Sequence, residues 1–241
     1  MKFEKKYNVE ITDIGMDNKV SNLAFLRFLE KIGCAHSSNW GYGVNDIETK
    51  KKAWVLMDWE LKVYKRPIYG DELTIKTWPR PLERHFLYTY RDFEIYQGNE
   101  KVAIATSKWV LFDIEKNKIC KISDDIVKIY NPEEESVFEK KDIEKLKEPE
   151  NSTLALEYKV KRADIDINKH MHNLNYLNLA YEALPEEIYF NEEKTMVKIM
   201  YKNQILLGDT VFCYYTRKDK KDIITIKNKE NTKVHAIIEL S

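Results

Sequence analysis

The chain repeats its own order once, and that repeat constrains the fold more than any other feature. The stretch "DIGMDNKVSNLAFL" (13–26) aligns without a gap with "DIDINKHMHNLNYL" (164–177). Asp13, Ile14, Asn22, Leu23 and Leu26 face identical residues, and Phe25 faces Tyr176. Further on, "VYKRPIYGDEL" (63–73) answers "MYKNQILLGDTV" (200–211), with Tyr-Lys and Gly-Asp in the same order once a one-residue gap is allowed. Two matches in the same order, at similar separations, indicate a duplicated unit.

Each copy reads as a strand, a polar turn, a helix and a run of antiparallel strands. In the first, a strand is expected over about 3–12 and a helix from Asn22 to Gly33, followed by a loop through "HSSNWGYG". The runs "KAWVLMDWELKVYKRP", "ELTIKTWP", "HFLYTYRDFEIY" and "KVAIATSKWVLFDI" carry the β-branched and aromatic enrichment of strands, with "QGNEK" as a hairpin turn. A helix lying on an antiparallel sheet buries the apolar face of both, so the fold class is α+β. Residues 131–152, charged and bounded by Pro132 and Pro149, read as a linker with a helical turn or two. The expected domains are therefore 1–130 and 153–241.

Composition removes several classes. Aromatics at 12% and hydrophobics at 43% belong to a folded globular chain. With 40 acidic and 40 basic residues the net charge is zero, which argues against a nucleic-acid binder built on phosphate neutralisation. The start, "MKFEKKYNVEI", has no apolar segment of a signal peptide, and no run reaches the length of a membrane span. Cys34, Cys120 and Cys213 are far apart and odd in number, so they read as ordinary buried thiols of a reducing, cytoplasmic protein.

The second copy gathers short polar side chains ahead of its helix. A cap needs one Asn or Asp, and the shared Asn22 and Asn173 suit that role. Asp166, Asn168 and His170 instead stand where the first copy has Gly15, Asp17 and Lys19. An isolated Asp-x-Asn-x-His in a turn reads as a hydrogen-bonded loop. Its confinement to one copy marks it as a site that the scaffold does not need. His170 and His172 form an H-x-H, but a third zinc ligand is missing nearby. His36 and His85 read as surface or core-edge residues. "TRKDKKD" (216–222) reads as a solvated hairpin tip, with docking of an acidic carrier as the functional alternative. "GYGVND" lacks the third glycine of a phosphate loop, and no G-x-S-x-G elbow occurs, so no cofactor is expected.

Over nearly its whole length the chain resembles the acyl-acyl carrier protein thioesterases of plants and bacteria. The resemblance lies in "WVLMDWELKVYKRPIYGDELTIKTW", "ATSKWVLFD", "KRADIDINKHMHNLNYL" and "YKNQILLGD". It implies two tandem hotdog domains, each a long helix wrapped by an antiparallel sheet. Because the first copy has Gly15 and Lys19 in place of the polar cluster and strands rich in bulky apolar residues such as Trp54 and Trp59, the first is expected to bind the acyl chain and the second to be catalytic. Asp166, Asn168 and His170 fall on catalytic positions of that family. An acidic residue on a downstream strand, followed in plant members by cysteine, falls here on Gln204 and Ile205. That removes a cysteine nucleophile and a carboxylate base at this place.

Thioester hydrolysis needs an activated water and a partner for charge on the carbonyl oxygen. Asp or His takes the proton, Asn168 donates to the oxyanion or holds water, and the adjacent helix N-terminus contributes N–H groups and its dipole. Gln204 can orient water but cannot accept a proton. Attack by Asp166 itself is an alternative route. The expected partner is an acyl carrier protein bearing a fatty acyl thioester, with neither nucleic acid nor membrane engaged. A double hotdog is already a pseudo-dimer, so a monomer or a homodimer is expected. The rival readings are an acyl-CoA thioesterase, a hotdog dehydratase, and an acyl-carrier-binding module with little turnover.

Overall fold

Apolar residues at helical spacing put Phe25, Phe28, Leu29 and Ile32 on the buried face of helix α1 (Asn22–Asn39). Each such side chain contributes about 1.5–3 kcal/mol when taken from water. The computed structural model describes residues 2–82 and 87–241, and His85 lies outside them. The chain divides into two units, residues 1–143 and 144–241.

In unit 1, α1 is joined by strands β1 (Phe3–Asn8), β2 (Lys52–Val63), β3 (Glu72–Pro79), β4 (Thr89–Gln97), β5 (Glu100–Asp113) and β6 (Lys118–Cys120). The order is β1-β3-β4-β5-β2, antiparallel throughout, with β6 beside β5. Alternation along β2 buries Trp59, Leu61 and Val63 and leaves Lys62 exposed. Two short helices complete the unit, α2 (Ile47–Lys50) and α3 (Asp124–Tyr130).

Unit 2 contains β7 (Thr153–Lys159), α4 (Asn173–Glu182), α5 (Glu186–Asn191), β8 (Met196–Tyr201), β9 (Thr210–Lys218), β10 (Lys221–Asn228) and β11 (Val234–Leu240). Its strands run β7-β9-β10-β11-β8, the same permutation as in unit 1. Helix on antiparallel sheet, twice, is the α+β architecture that the repeat demanded.

Several local expectations change. The first strand stops at Asn8, and a 3₁₀ turn over Ile11–Asp13 follows. Helix α1 continues through Gly33 to Asn39, because the residue that ends it is Gly41, at φ +71°, beyond the Trp40 cap. Its N-cap is Ser21, whose hydroxyl accepts from the Ala24 N–H at 3.1 Å, so neither Asn22 nor Asn173 is a cap. Asn22 instead offers its Oδ1 to Arg66. The thiols differ in burial: Cys213 is buried, Cys120 half-buried and Cys34 exposed.

Residues 131–152 contain no helix; the nearest, α3, ends at Tyr130 ahead of Pro132. The first half of this segment is tied to β3 and β4. Trp78 donates to the Glu135 carbonyl at 2.9 Å, Arg80 to Ser136 and to the Lys141 carbonyl, and Tyr90 to Asp142. The Val137 N–H donates to the buried Asp92 at 3.0 Å. The charged run is thus part strap, part linker. The "TRKDKKD" segment is a two-residue hairpin turn at Asp219 and Lys220, both with positive φ, in which Arg217 is ion-paired with Glu192.

The two halves also repeat at the level of single bonds, in a register that differs from the sequence alignment. Tyr64 and Lys65 donate their N–H groups to the Val102 carbonyl, and Lys202 and Asn203 donate theirs to that of His235. Ile68 N–H donates to Asp71, and Leu206 N–H to Asp209; Gly70 and Gly208 both sit at φ +87°. Tyr64 therefore corresponds to Lys202, with no gap, and the Tyr-Lys pairs do not superpose. Gln204 corresponds to Arg66, and His235 to Val102.

Candidate active site

Ahead of α4 the chain makes a tight hairpin. Ile165 and Met171 bridge, Asp166 N–H donates to the His170 carbonyl at 3.0 Å, and Lys169 N–H to the Asp166 carbonyl at 3.0 Å. Lys169 takes the left-handed conformation, φ +66°, that closes the turn. Unit 1 builds the same hairpin from Ile14 to Val20, with Asn18 at φ +59°. In both units a preceding aspartate, Asp13 or Asp164, accepts an N–H from three residues back. Asp164 is thus scaffold shared by both units, while the side chains at 166, 168 and 170 differ from those of unit 1.

The hairpin brings those three together. The Asn168 backbone N–H donates to Asp166 Oδ1 at 2.8 Å, and its Nδ2 lies 3.5 Å from Oδ2. His170 Nδ1 stands 3.8 Å from Asp166 Oδ1, within ion-pair reach if the ring is protonated. The Asp166 and His170 side chains retain 16% and 28% of their exposure, so water reaches both. In unit 1 the same backbone carries Gly15, Asp17 and Lys19, with Lys19 folded onto Asp17.

The helix that follows differs as well. Ser21 caps α1, but His172, at the corresponding position, makes no capping bond with its side chain. The α4 N-terminus is left without a side-chain cap, two residues from His170. Its N–H groups and dipole favour developing negative charge.

Gln204 lies on the neighbouring segment. His170 bridges Leu206, and Met171 N–H donates to the Ile205 carbonyl at 2.8 Å, so Gln204 follows the hairpin toward the start of α4. It is exposed and is not bonded to Asp166, Asn168 or His170 through its side chain. Its counterpart Arg66 reaches the Val20 carbonyl at 2.7 Å and Asn22 at 2.9 Å. An arginine side chain at this position therefore spans to the junction of hairpin and helix.

One neighbour was not singled out from sequence. His235 is buried, and its Nδ1 faces the carbonyls of Asn203 and Gln204 at 3.2 and 3.1 Å. Both partners are acceptors, so Nδ1 carries the proton. Burial lowers its pKa, an effect that these carbonyls oppose. The signal was available, since unit 1 has Val102 here, but it lay outside the stretch over which the repeat aligns. Tyr176 of α4, its phenol pushed up by burial, donates to the Asn203 carbonyl at 3.3 Å. Among the described residues, no three His, Cys, Asp or Glu side chains converge as metal ligands, and no helix is long and apolar enough to cross a membrane.

Comparison with known proteins bears on the family. Oleoyl-acyl carrier protein thioesterase 1 of Arabidopsis thaliana is 26% identical over 230 residues, 88% of this chain and 62% of that protein. The Coriandrum sativum oleoyl enzyme is 26% identical over 231 residues, with 88% and 61% covered. The chain thus spans about three fifths of the length of these relatives. The crystal structure of an acyl-ACP thioesterase from Bacteroides thetaiotaomicron matches with a TM-score of 0.86 at 19% identity, over 99% of this chain and 96% of that one. The 12:0-ACP thioesterase of Umbellularia californica matches at 0.87 and 16%, over 100% and 96%. These structures share the tandem hotdog fold. Residues 1–130 match the acyl-ACP thioesterase N-terminal domain and residues 147–239 its C-terminal domain, and the chain belongs to that family.

Proposed function

We propose that the chain hydrolyses fatty acyl thioesters of acyl carrier protein to free fatty acid, with the chemistry in unit 2 and the acyl chain housed in unit 1. The observation that carries this reading is the hairpin of Asp166, Asn168 and His170, whose twin in unit 1 keeps the backbone and lacks the groups. Family membership supports the substrate class.

In this mechanism Asp166 and His170 share the activation of a water that attacks the thioester carbonyl. Asn168 holds Asp166 through its N–H, and its amide, with the open α4 N-terminus, steadies charge on the carbonyl oxygen. Gln204 orients the water through its amide oxygen, on a segment that His235 holds by two carbonyls. The sulfur leaves with a proton as the thiol of the carrier arm. The three unpaired thiols fit a reducing cytoplasm.

Thiol release from acyl-carrier protein and from acyl-CoA, followed side by side with a chromogenic reagent, tests the reading. Asp166→Asn, Asn168→Ala and His170→Ala should each lower kcat by roughly 10²–10⁴-fold while the fold survives. A folded His170→Ala protein within a factor of three of the parent would sink the assignment. Preference for CoA would move the substrate class, and binding of acyl carrier protein without thiol release would make the chain a carrier-binding module.

A further inference from the structure

Unit 1 holds a cavity with about 920 Å³ of empty space, solvent at its mouth included, a size ordinary for a small-molecule site. Aromatic and aliphatic side chains such as Tyr42, Trp54, Trp109, Ile126 and Tyr130 dominate its wall. The charged residues of the wall are Glu30, Arg80, which pairs with Asp92, and Arg91 of β4. Arg91 lines the cavity, yet only 6% of it is exposed. Its Nη1 donates to His36 Nδ1 at 2.8 Å and to Thr77 at 3.3 Å. An arginine cannot accept, so His36 is the acceptor and is neutral.

Among the described residues no carboxylate is ion-paired with Arg91. Of the five N–H groups of a guanidinium, the two on Nη1 are used. The Nε and Nη2 edge donates to no described residue. Burial lowers the Arg91 pKa to about 10, so the group is still a cation at neutral pH. A buried cation without a counter-charge costs several kcal/mol, and the open edge of the guanidinium has the two-pronged geometry that a carboxylate matches.

We propose that this cavity binds a long-chain carboxylate, its carboxylate forked onto the Nε and Nη2 edge of Arg91 and its chain along the apolar wall. The inference rests on the reading of unit 1 as the acyl chamber and adds an anion to it. Two sources carry this chemistry: a free fatty acid, or an acyl chain with a second carboxylate at its far end.

Trp54 and Trp109 line the cavity and report occupancy by their fluorescence. Dodecanoate and dodecan-1-ol, titrated below micelle formation, differ only in the head group. The full chain should bind dodecanoate at least about 10-fold tighter, the worth of a charge-assisted pair of bonds. Arg91→Met should remove that preference, and Arg91→Lys, a point charge without the fork, should keep only part of it. Equal binding of acid and alcohol by the parent overturns the proposal, as does a folded Arg91→Met that keeps the preference. If Arg91→Met does not fold, an Arg91→Lys protein with an undiminished preference overturns it. Two further arms separate the sources. Arg91-dependent inhibition of dodecanoyl thioester hydrolysis by dodecanoate points to the free acid. Arg91-dependent faster hydrolysis of the thioester with a distal carboxylate points to the substituted chain. The binding arm needs no turnover, so a chain without thioesterase activity still tests the site.

Discussion

His36 makes the stability of unit 1 depend on pH in a way that one substitution isolates. It is 4% exposed, stacked on Phe3 at 4.9 Å and edge-on to Tyr130 and Trp40. A proton at its Nδ1 would break the bond from Arg91 and set two cations face to face. Burial, and then the Arg91 charge, lower its pKa from 6.5 to about 3. Between those values the unfolded chain binds a proton that the folded chain refuses. The stability is therefore whole above pH 6.5 and drains away as pH falls toward 3. The slope is about 1.4 kcal/mol per pH unit, so about 2 kcal/mol should be gone by pH 5, out of a typical total of about 5–15 kcal/mol. In His36→Gln the amide oxygen still accepts from Arg91, but nothing titrates. Urea unfolding of both proteins from pH 7.5 to 5 gives the difference directly. His235, whose pKa burial also lowers, titrates in both and cancels. The parent should lose its advantage over the variant by about 2 kcal/mol across this range. A gap that stays constant would mean that His36 takes up its proton as readily in the folded chain as in the unfolded one, and the reasoning about Arg91 would fall with it.

Gln204→Ala should lower kcat, while Gln204→Glu should stay active and add an ionisation to the pH–rate profile; a Gln204→Ala enzyme unchanged in kcat and KM would leave the residue without a role in water orientation. Enlarging or shrinking Trp54 or Ile126, which line the unit 1 cavity, should move the product chain-length profile by roughly 4-fold in kcat/KM per methylene, read by gas chromatography; a profile moved only by strand changes in unit 2 would put the chamber there. Lys194 is ion-paired at 2.6 Å with the fully buried Asp222, so Lys194→Ala should cost roughly 3–5 kcal/mol in urea unfolding, and a cost under about 1 kcal/mol would class the pair with surface bridges.

The duplication was legible because the hairpin and the helix obey local rules. Asp13 and Asp164 cap the same turn, and Ile14, Leu23 and Leu26 recur because they fill the same places on a sheet and a helix face. Register in the strands was harder. The sequence matched Tyr64 to Tyr201, but backbone bonds to Val102 and His235 pair Tyr64 with Lys202. A strand residue is chosen by the face on which it lies, and many side chains serve equally on each face. Helix α1 ran past Gly33 for a related reason. A lone glycine costs roughly 0.5–1 kcal/mol, less than the packing that Ile32 and His36 supply on either side.

The candidate site was legible where the two units share a backbone turn and differ in the side chains it carries, and nowhere else. Asp166, Asn168 and His170 stood out because Gly15, Asp17 and Lys19 occupy the same turn without need of them. His235 and Arg91 follow a different logic. Each is a polar residue inside a sheet, at a place where alternation calls for an apolar one, and each is told from a core residue only by what its ring or guanidinium touches. His235 gives both sides of its bond to carbonyls, so its proton is fixed and its role is to hold the Gln204 segment. Arg91 gives the two N–H groups of Nη1 to His36 and Thr77, its other three donate to no described residue, and it lines an apolar hollow. Sequence records the charge but not that, among the described residues, no carboxylate pairs with it, and that is what motivates the ligand chemistry proposed for the cavity.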